Sequence, residues 1–186
     1  MLAYAAGDAA AFDILYERHK GGVYRYLLRQ CGNAGTAEEL FQDIWMNLIR
    51  ARGTYLPTAK FTTWLYRLAQ NRLIDHWRTH GRLKLVGDLH DADSADDDPL
   101  EALPAARTDE PETSVGASEI RRHIDAALAA LPAAQRDAFL LHQEAGMALA
   151  EIAELTGVGT ETVKSRVRYA LAALRSRLAH LRVEMQ

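Results

Sequence analysis

The sequence predicts an all-α fold built as two small helical modules, and three observations carry that prediction. Apolar residues recur at three- and four-residue intervals in residues 1 to 81 and again in 118 to 186, without sustained alternation of period two. That periodicity marks amphipathic helices and argues against strands. Between the two flanks, residues 82 to 117 carry 10 acidic and 3 basic side chains, among them Asp88, Asp91, Asp93, Asp96, Asp97 and Asp98, followed by Pro99, Pro104 and Pro111. Such a stretch has too few large apolar side chains to bury and reads as a disordered acidic linker. As a flexible coil its 36 residues span about 33 Å, enough to let two modules reach sites one DNA turn apart. The third observation is size: 186 residues, 48% hydrophobic and 25% charged, suffice for one medium core or two small ones.

In the first flank, Phe12, Leu15, Tyr16, His19, Val23, Tyr26 and Leu27 form one helical stripe, which Gly21-Gly22 is expected to weaken or kink. A second helix is expected to begin near Thr36, as an N-cap ahead of Glu38 and Glu39, and to turn Leu40, Phe41, Ile44, Trp45 and Leu48 inward. Residues 53 to 60, with Pro57, read as a loop, and a third helix runs from about Phe61 to Thr79, stopping near Gly81. In the second flank four helices are expected, at roughly 118 to 130, 133 to 144, 148 to 155 and 160 to 182. Pro132 suits a first turn, and Gly146 and Gly157 sit where turns are needed. The sequence shows no internal repeat.

Composition narrows the function classes. A lone Cys31, read as a small buried or half-buried residue, leaves no intrachain disulfide and no Cys-rich zinc site, which favours a reducing compartment. No run approaches the roughly 18 apolar residues of a membrane span, and residues 1 to 11 lack the basic start of a secretion signal, so neither insertion nor secretion is expected. The net charge of −3 conceals segregation: residues 1 to 81 carry 10 basic against 7 acidic side chains, and residues 118 to 186 carry 9 against 8. The excess acid lies in the linker, and both flanks remain compatible with a polyanionic partner. The seven histidines show no metal-ligand spacing with carboxylates, and there is no phosphate loop or nucleophile motif, so no enzyme, metal or cofactor is expected. His76 and His80 form an i, i+4 pair on a basic helix end, where a capping or phosphate role is favoured over a metal.

The most specific signal is the run from Leu149 to Val167. It combines a short helix, a tight turn at Gly157, and a second helix, with Ala153 small where the two helices cross. Val163, Val167, Leu171, Leu174, Leu178 and Leu181 form the inner face of the second helix. Thr160, Glu161, Lys164, Ser165 and Arg168 remain outside on its N-terminal part, with Tyr169 beside them, where a recognition helix reaches base edges in the major groove. Lys164 and Arg168 suit guanine acceptors or phosphates, Ser165 either, and Glu161 the cytosine amino group. Arg166, Arg175 and Arg177 fit phosphates or intramolecular pairs. The plainer alternative is a helical hairpin with a solvated charged face.

Between Tyr55 and Arg78, aromatic and basic residues interleave, a mixture suited to single-stranded nucleic acid, whose bases stack on rings while cations follow the phosphates. The expected base contacts are Lys60, Phe61 and Thr62 at the loop-helix junction, with Asn71, Arg67, Arg72 and Arg78 behind them; Trp64 is assigned to the core. On the preceding helix Glu39, Gln42, Asp43 and Met46 line up at i, i+3, i+4 and i+7, a polar stripe suited to a partner helix or to plain solvent.

The segments Phe12-x-x-Leu15-Tyr16, Ala37 to Trp45, Phe61-x-x-Trp64-Leu65-Tyr66-Arg67-Leu68-Ala69-x-Asn71-x-x-x-Asp75 and Leu131-Pro132 through Arg166 together resemble bacterial RNA polymerase sigma factors of the small, two-domain extracytoplasmic-function group. The similarity covers about residues 9 to 81 and 118 to 182. It implies that residues 1 to 81 are sigma region 2, with Glu39, Leu40, Gln42, Asp43, Trp45 and Met46 binding the polymerase clamp. Lys60, Phe61, Thr62, Arg67, Asn71, Arg72 and Arg78 would capture and melt the minus-10 element. It implies that residues 118 to 186 are region 4, with Thr160, Glu161, Lys164, Ser165, Arg168 and Tyr169 reading the minus-35 element. The linker would replace region 3 and thread through the polymerase. The implied partners are core RNA polymerase, promoter DNA and an anti-sigma factor or other regulator, in the cytoplasm. Gly159 and Glu161 depart from the residues more usual at the start of the recognition helix. A free-standing helix-turn-helix repressor is the alternative; it would bind duplex operator without polymerase.

Overall fold

A computed structural model describes residues 1–80 and 115–179, which belong to two compact units. Among the described residues every regular element is helical. In the first unit these are α1 (Leu2–Ala5), α2 (Ala10–Cys31), α3 (Ala34–Arg50), a 3₁₀ turn (Ala51–Thr54) and α4 (Phe61–Thr79). The second unit holds α5 (Val115–Ala129), α6 (Ala133–Gln143), α7 (Leu149–Thr156) and α8 (Thr160–Arg177).

Local chemistry sets the boundaries. The Asp8 carboxylate accepts from the amides of Ala10 and Ala11 at 3.0 and 3.3 Å, satisfying two of the orphan donors that open α2. That helix ends at Gly32, whose φ of 67° is the left-handed value that glycine adopts without penalty. The expected weakening at Gly21-Gly22 does not interrupt the helix: α2 runs unbroken for 22 residues, held by buried Leu15, Val23, Tyr26 and Leu27 on either side. Packing outweighs a propensity cost of about 1 kcal/mol per glycine. The cap of α3 is Asn33, not Thr36: its side-chain oxygen accepts from the Thr36 amide at 2.9 Å, so Thr36 is already inside the helix.

In the first unit, α3 packs along both α2 and α4. Leu40, Ile44 and Leu48 of α3, Val23, Tyr26 and Leu27 of α2, and Leu65, Ala69 and Leu73 of α4 are all at most 1% exposed. Each large apolar side chain so buried contributes roughly 1.5–3 kcal/mol. An aromatic cluster closes one end, with Tyr16 and Phe12 at 4.9 and 5.9 Å from the Trp45 ring and Tyr4 of α1 at 5.3 Å from Phe12. α1 was absent from the sequence-based expectation; Tyr4, 6% exposed and covered by the Arg52 guanidinium at 5.3 Å, anchors it.

In the second unit α8 packs against α5, α6 and α7. Leu128, Leu140, Leu141, Met147, Ile152, Val163, Val167 and Ala170 are all at most 2% exposed and make its core. Pro132 is the residue ahead of α6, one position before the expected first turn. His142 reaches forward from the end of α6, its Nδ1 2.8 Å from the Met147 carbonyl oxygen, and so fixes the turn that contains Gly146 at φ 63°. The linker reading needs one correction: residues 115 to 117, placed in it from sequence, open α5 instead. The remainder of that reading, the stop near Gly81 and the expected continuation of the last helix to residue 182 lie outside the described residues.

Candidate nucleic-acid interface

The helix-turn-helix forms as its sequence requires. α7 opens with the Glu151 carboxylate accepting from the Ala148 amide at 2.9 Å, and closes on Gly157 at φ 71°. The amides of Gly157 and Val158 both donate to the Ala153 carbonyl, at 2.9 and 3.2 Å, which reverses the chain within two residues. Gly159 then stands at the N-cap of α8 with extended backbone and no capping side chain. Ile152, Ala153, Val163 and Val167 are buried between the two helices, which turns the opposite side of the α8 N-terminus to solvent.

On that side Thr160, Glu161, Lys164 and Arg168 fall within about 100° of helix surface. The Glu161 and Lys164 side chains are 82% and 37% exposed and pair loosely at 3.4 Å. Ser165, Arg168 and Tyr169 are half-buried. Arg168 donates from Nη2 to the Tyr169 hydroxyl at 3.3 Å, with its guanidinium carbon 5.0 Å from the Tyr169 ring centroid. Arg166 is 4% exposed, so of the two roles open to it phosphate contact is out of reach, whereas Arg175 and Arg177 are exposed.

In the first unit, α4 presents a basic stripe. Lys60, Arg67, Asn71 and Arg78 are all exposed and lie within about 40° of one another on the helical wheel. Arg72 is about 140° from Arg67 and faces α3. Its Nε and Nη2 both reach Oδ2 of Asp43, at 2.8 and 2.6 Å. Two residues assigned from sequence to different partners thus clasp α3 to α4. In this structure Arg72 is engaged in the clasp, with its side chain 28% exposed. The polymerase-facing set also needs correction: Leu40 and Trp45, 0% and 5% exposed, point into the core, because residues i+1 and i+6 from Glu39 lie on the inner side of α3. Glu39, Gln42 and Met46 remain exposed on its outer side.

Beside the basic stripe runs a ridge of contacting rings that sequence reasoning missed. Tyr55 meets Trp64 at 4.9 Å, Trp64 meets Phe61 at 5.9 Å, and Phe61 meets His19 of α2 at 5.1 Å. All four are half-buried, and Thr62 beside them is half-buried too. Trp64, expected in the core, is the ridge's centre; the inward side of α4 is carried by Leu65, Tyr66, Ala69 and Leu73 instead. Its position four residues after Lys60 and three before Arg67 is the signal that places it beside the basic stripe. Burial, reinforced by the charges of Arg18 and the N-terminus, holds the His19 imidazole below its usual pKa and hence neutral at pH 7.

Among the described residues no cluster of three or more His, Cys, Asp or Glu is placed to hold a metal ion, and no helix is long and apolar enough to cross a membrane. His76 and His80 stack at 4.1 Å, and His80 Nδ1 lies 2.9 Å from the His76 carbonyl oxygen, which caps the end of α4.

Two family models match the chain: Sigma-70 region 2 over residues 15–83 and Sigma-70, region 4 over residues 121–174. The chain belongs to the sigma-70 family. Its relatives place it in the extracytoplasmic-function group. It is 30% identical to the RNA polymerase sigma factor CarQ of Myxococcus xanthus over 96% of this chain and 95% of that protein. It is 33% identical to the ECF RNA polymerase sigma factor SigL of Mycobacterium tuberculosis over the same shares. The match to ECF RNA polymerase sigma factor SigE of Mycolicibacterium smegmatis is 32% identical over 94% of this chain and spans 65% of that longer protein. Solved structures with the same fold include CnrH in complex with the cytosolic domain of CnrY, with TM-score 0.65, 20% identity and 96% of each chain covered. A second is the Bartonella quintana sigma factor RpoE in complex with the anti-sigma factor NepR, with TM-score 0.66 and 21% identity, covering 91% of this chain and 97% of that one. The protein is thus an alternative sigma factor, which directs transcription initiation by RNA polymerase at promoter DNA. Sigma factors are non-enzymatic initiation factors that act in the cytoplasm, and the repressor alternative is not favoured.

Proposed function

We propose a division of labour between the two units of this sigma factor. Residues 1 to 81 bind the polymerase clamp through the exposed side of α3, at Glu39, Gln42 and Met46, with Leu40 and Trp45 seating that helix from beneath and the Asp43 clasp fixing it to α4. The basic stripe of Lys60, Arg67, Asn71 and Arg78, with Phe61 and Thr62, captures the minus-10 element as its strands part. Cations follow the phosphates while the neighbouring rings receive unstacked bases. Residues 118 to 186 read the minus-35 duplex through Thr160, Glu161, Lys164, Ser165, Arg168 and Tyr169, from the N-terminal part of a helix whose docking geometry suits the major groove. The residues from 82 up to the start of α5 join the two and thread through the polymerase. The protein acts in the cytoplasm, without enzymatic activity or cofactor of its own, and is controlled by an anti-sigma factor or other regulator; the solved RpoE is seen with the anti-sigma factor NepR, and CnrH with the cytosolic domain of CnrY.

The observation that carries this reading is the pairing, in one chain, of a duplex-reading helix with a ridge of rings flanked by exposed cations. Each surface suits a different state of DNA, and promoter opening needs both. The test is in vitro transcription from a pool of promoter fragments with bacterial core polymerase, alone and with the protein, alongside a binding assay without polymerase. Initiation that needs both components supports the reading. Tight duplex binding by the protein alone, without new transcripts, refutes it.

A further inference from the structure

We infer that His19, a residue of α2 outside the recognition elements of α4, contacts an unpaired base of the minus-10 strand and contributes to the choice of base at that position. This rests on the assignment of the first unit to minus-10 capture.

Three features of the site lead there. The His19 ring lies 5.1 Å from the Phe61 ring at an interplanar angle of 59°, at the junction where the loop enters α4. It is therefore the terminal ring of the ridge that continues through Trp64 to Tyr55. Among the described residues neither ring nitrogen takes part in a hydrogen bond, although the side chain is half-buried. The ring nitrogens are not among the buried polar atoms left without a partner, so water can reach them, and a donor and an acceptor beside a base-stacking surface are placed to exchange that water for a base edge. Finally, the imidazole is neutral at neutral pH, so it offers one N–H donor and one acceptor instead of two donors. Such a pair matches the mixed donor and acceptor edge of an unpaired base, whereas a cation would favour phosphate indiscriminately. Cations are already present nearby, Arg18 on the same helix and Lys60 next to Phe61 at the start of α4, and are suited to phosphates.

The ring contact and the hydrogen bonds are separable by substitution. His19→Phe keeps a ring against Phe61 and removes both polar atoms; His19→Gln keeps a donor and an acceptor and removes the ring. The experiment is transcription by core polymerase and the full-length protein from promoters randomised over the minus-10 element, with sequencing of the transcripts from each variant. His19→Phe is expected to flatten the base preference at a single minus-10 position by roughly tenfold, the loss that goes with one base-edge contact. The minus-35 preference and the affinity for polymerase stay unchanged. His19→Gln is expected to retain a preference at that same position. An unaltered minus-10 profile in His19→Phe with a native protein that initiates normally overturns this inference and leaves the functional assignment standing. A native protein that drives no initiation overturns both. A uniform loss of output with every preference intact overturns it too, because that is the behaviour of a residue that only supports Phe61.

Discussion

Removing the Asp43–Arg72 clasp measures how firmly the α3 surface is fixed to the α4 surface. Both guanidinium contacts converge on one carboxylate oxygen, at 2.8 and 2.6 Å, and the side chains are 43% and 28% exposed. At about 4 Å between charge centres the bare attraction is roughly 1 kcal/mol in water and 4 kcal/mol at the dielectric of a protein surface. Ordering two side chains and losing part of their hydration offset most of that. The pair is neither buried enough for the 3–5 kcal/mol penalty of an orphaned interior charge nor exposed enough to be worthless. A coupling energy of about 1 kcal/mol follows. The assay is a double-mutant cycle of Asp43→Ala, Arg72→Ala and the double variant, unfolded with urea and followed by tryptophan fluorescence. All three tryptophans, Trp45, Trp64 and Trp77, belong to the first unit, so the signal reports that unit within the full chain. Arg72→Ala is expected to cost more than Asp43→Ala, because the arginine stem also covers apolar surface. Raising the salt from 0.1 to 1 M shortens the screening length from about 10 to 3 Å and should reduce the coupling measurably. A coupling below about 0.3 kcal/mol, or one indifferent to salt, would refute the argument that this pair is a clasp.

Four further outcomes are expected. Gly157→Ala forces a side chain into φ 71°, although its Cβ would meet nothing within 4 Å, so the second unit should lose about 1–2 kcal/mol by circular dichroism with the tryptophan transition unchanged. Gly159→Ser adds a hydroxyl cap to α8 at an ordinary backbone conformation, with the new Cβ 3.9 Å from Thr162 Oγ1, and should stabilise that unit by about 0.5 kcal/mol in the same measurement. Leu40→Ala should cost the first unit about 2–5 kcal/mol, whereas Gln42→Ala should change stability by less than about 0.5 kcal/mol and weaken polymerase binding in a titration with core enzyme. Because burial depresses the His19 pKa below 6.5, the folded state disfavours its proton: the contribution is complete above pH 6.5 and is lost as pH falls through the folded value. Denaturation at pH 7.5 and 5.5 should show a pH-dependent loss that His19→Phe reduces.

Much of this protein is determined by sequence alone, where the controlling physics is local. Helical periodicity fixes the face that each helix buries to within one residue's rotation, and Gly157 fixes the turn of the helix-turn-helix because few other residues adopt its backbone conformation. The exposed set at the start of α8 follows from the same reasoning, since the residues opposite Val163 and Val167 have only solvent to face. Other features depend on neighbours distant in sequence, and only the tertiary structure decided them. Gly21-Gly22 remains helical because α3 packs against that stretch of α2, an interaction that outweighs local propensity. Arg72 and Asp43, 29 residues apart, meet because α3 and α4 pack side by side, and neither spacing nor composition announces that meeting. The ridge joining His19 to Phe61 and Trp64 is assembled from two helices and a loop. A side chain's exposure depends on what its neighbours cover, and that is set by packing between elements, which one-dimensional periodicity does not encode.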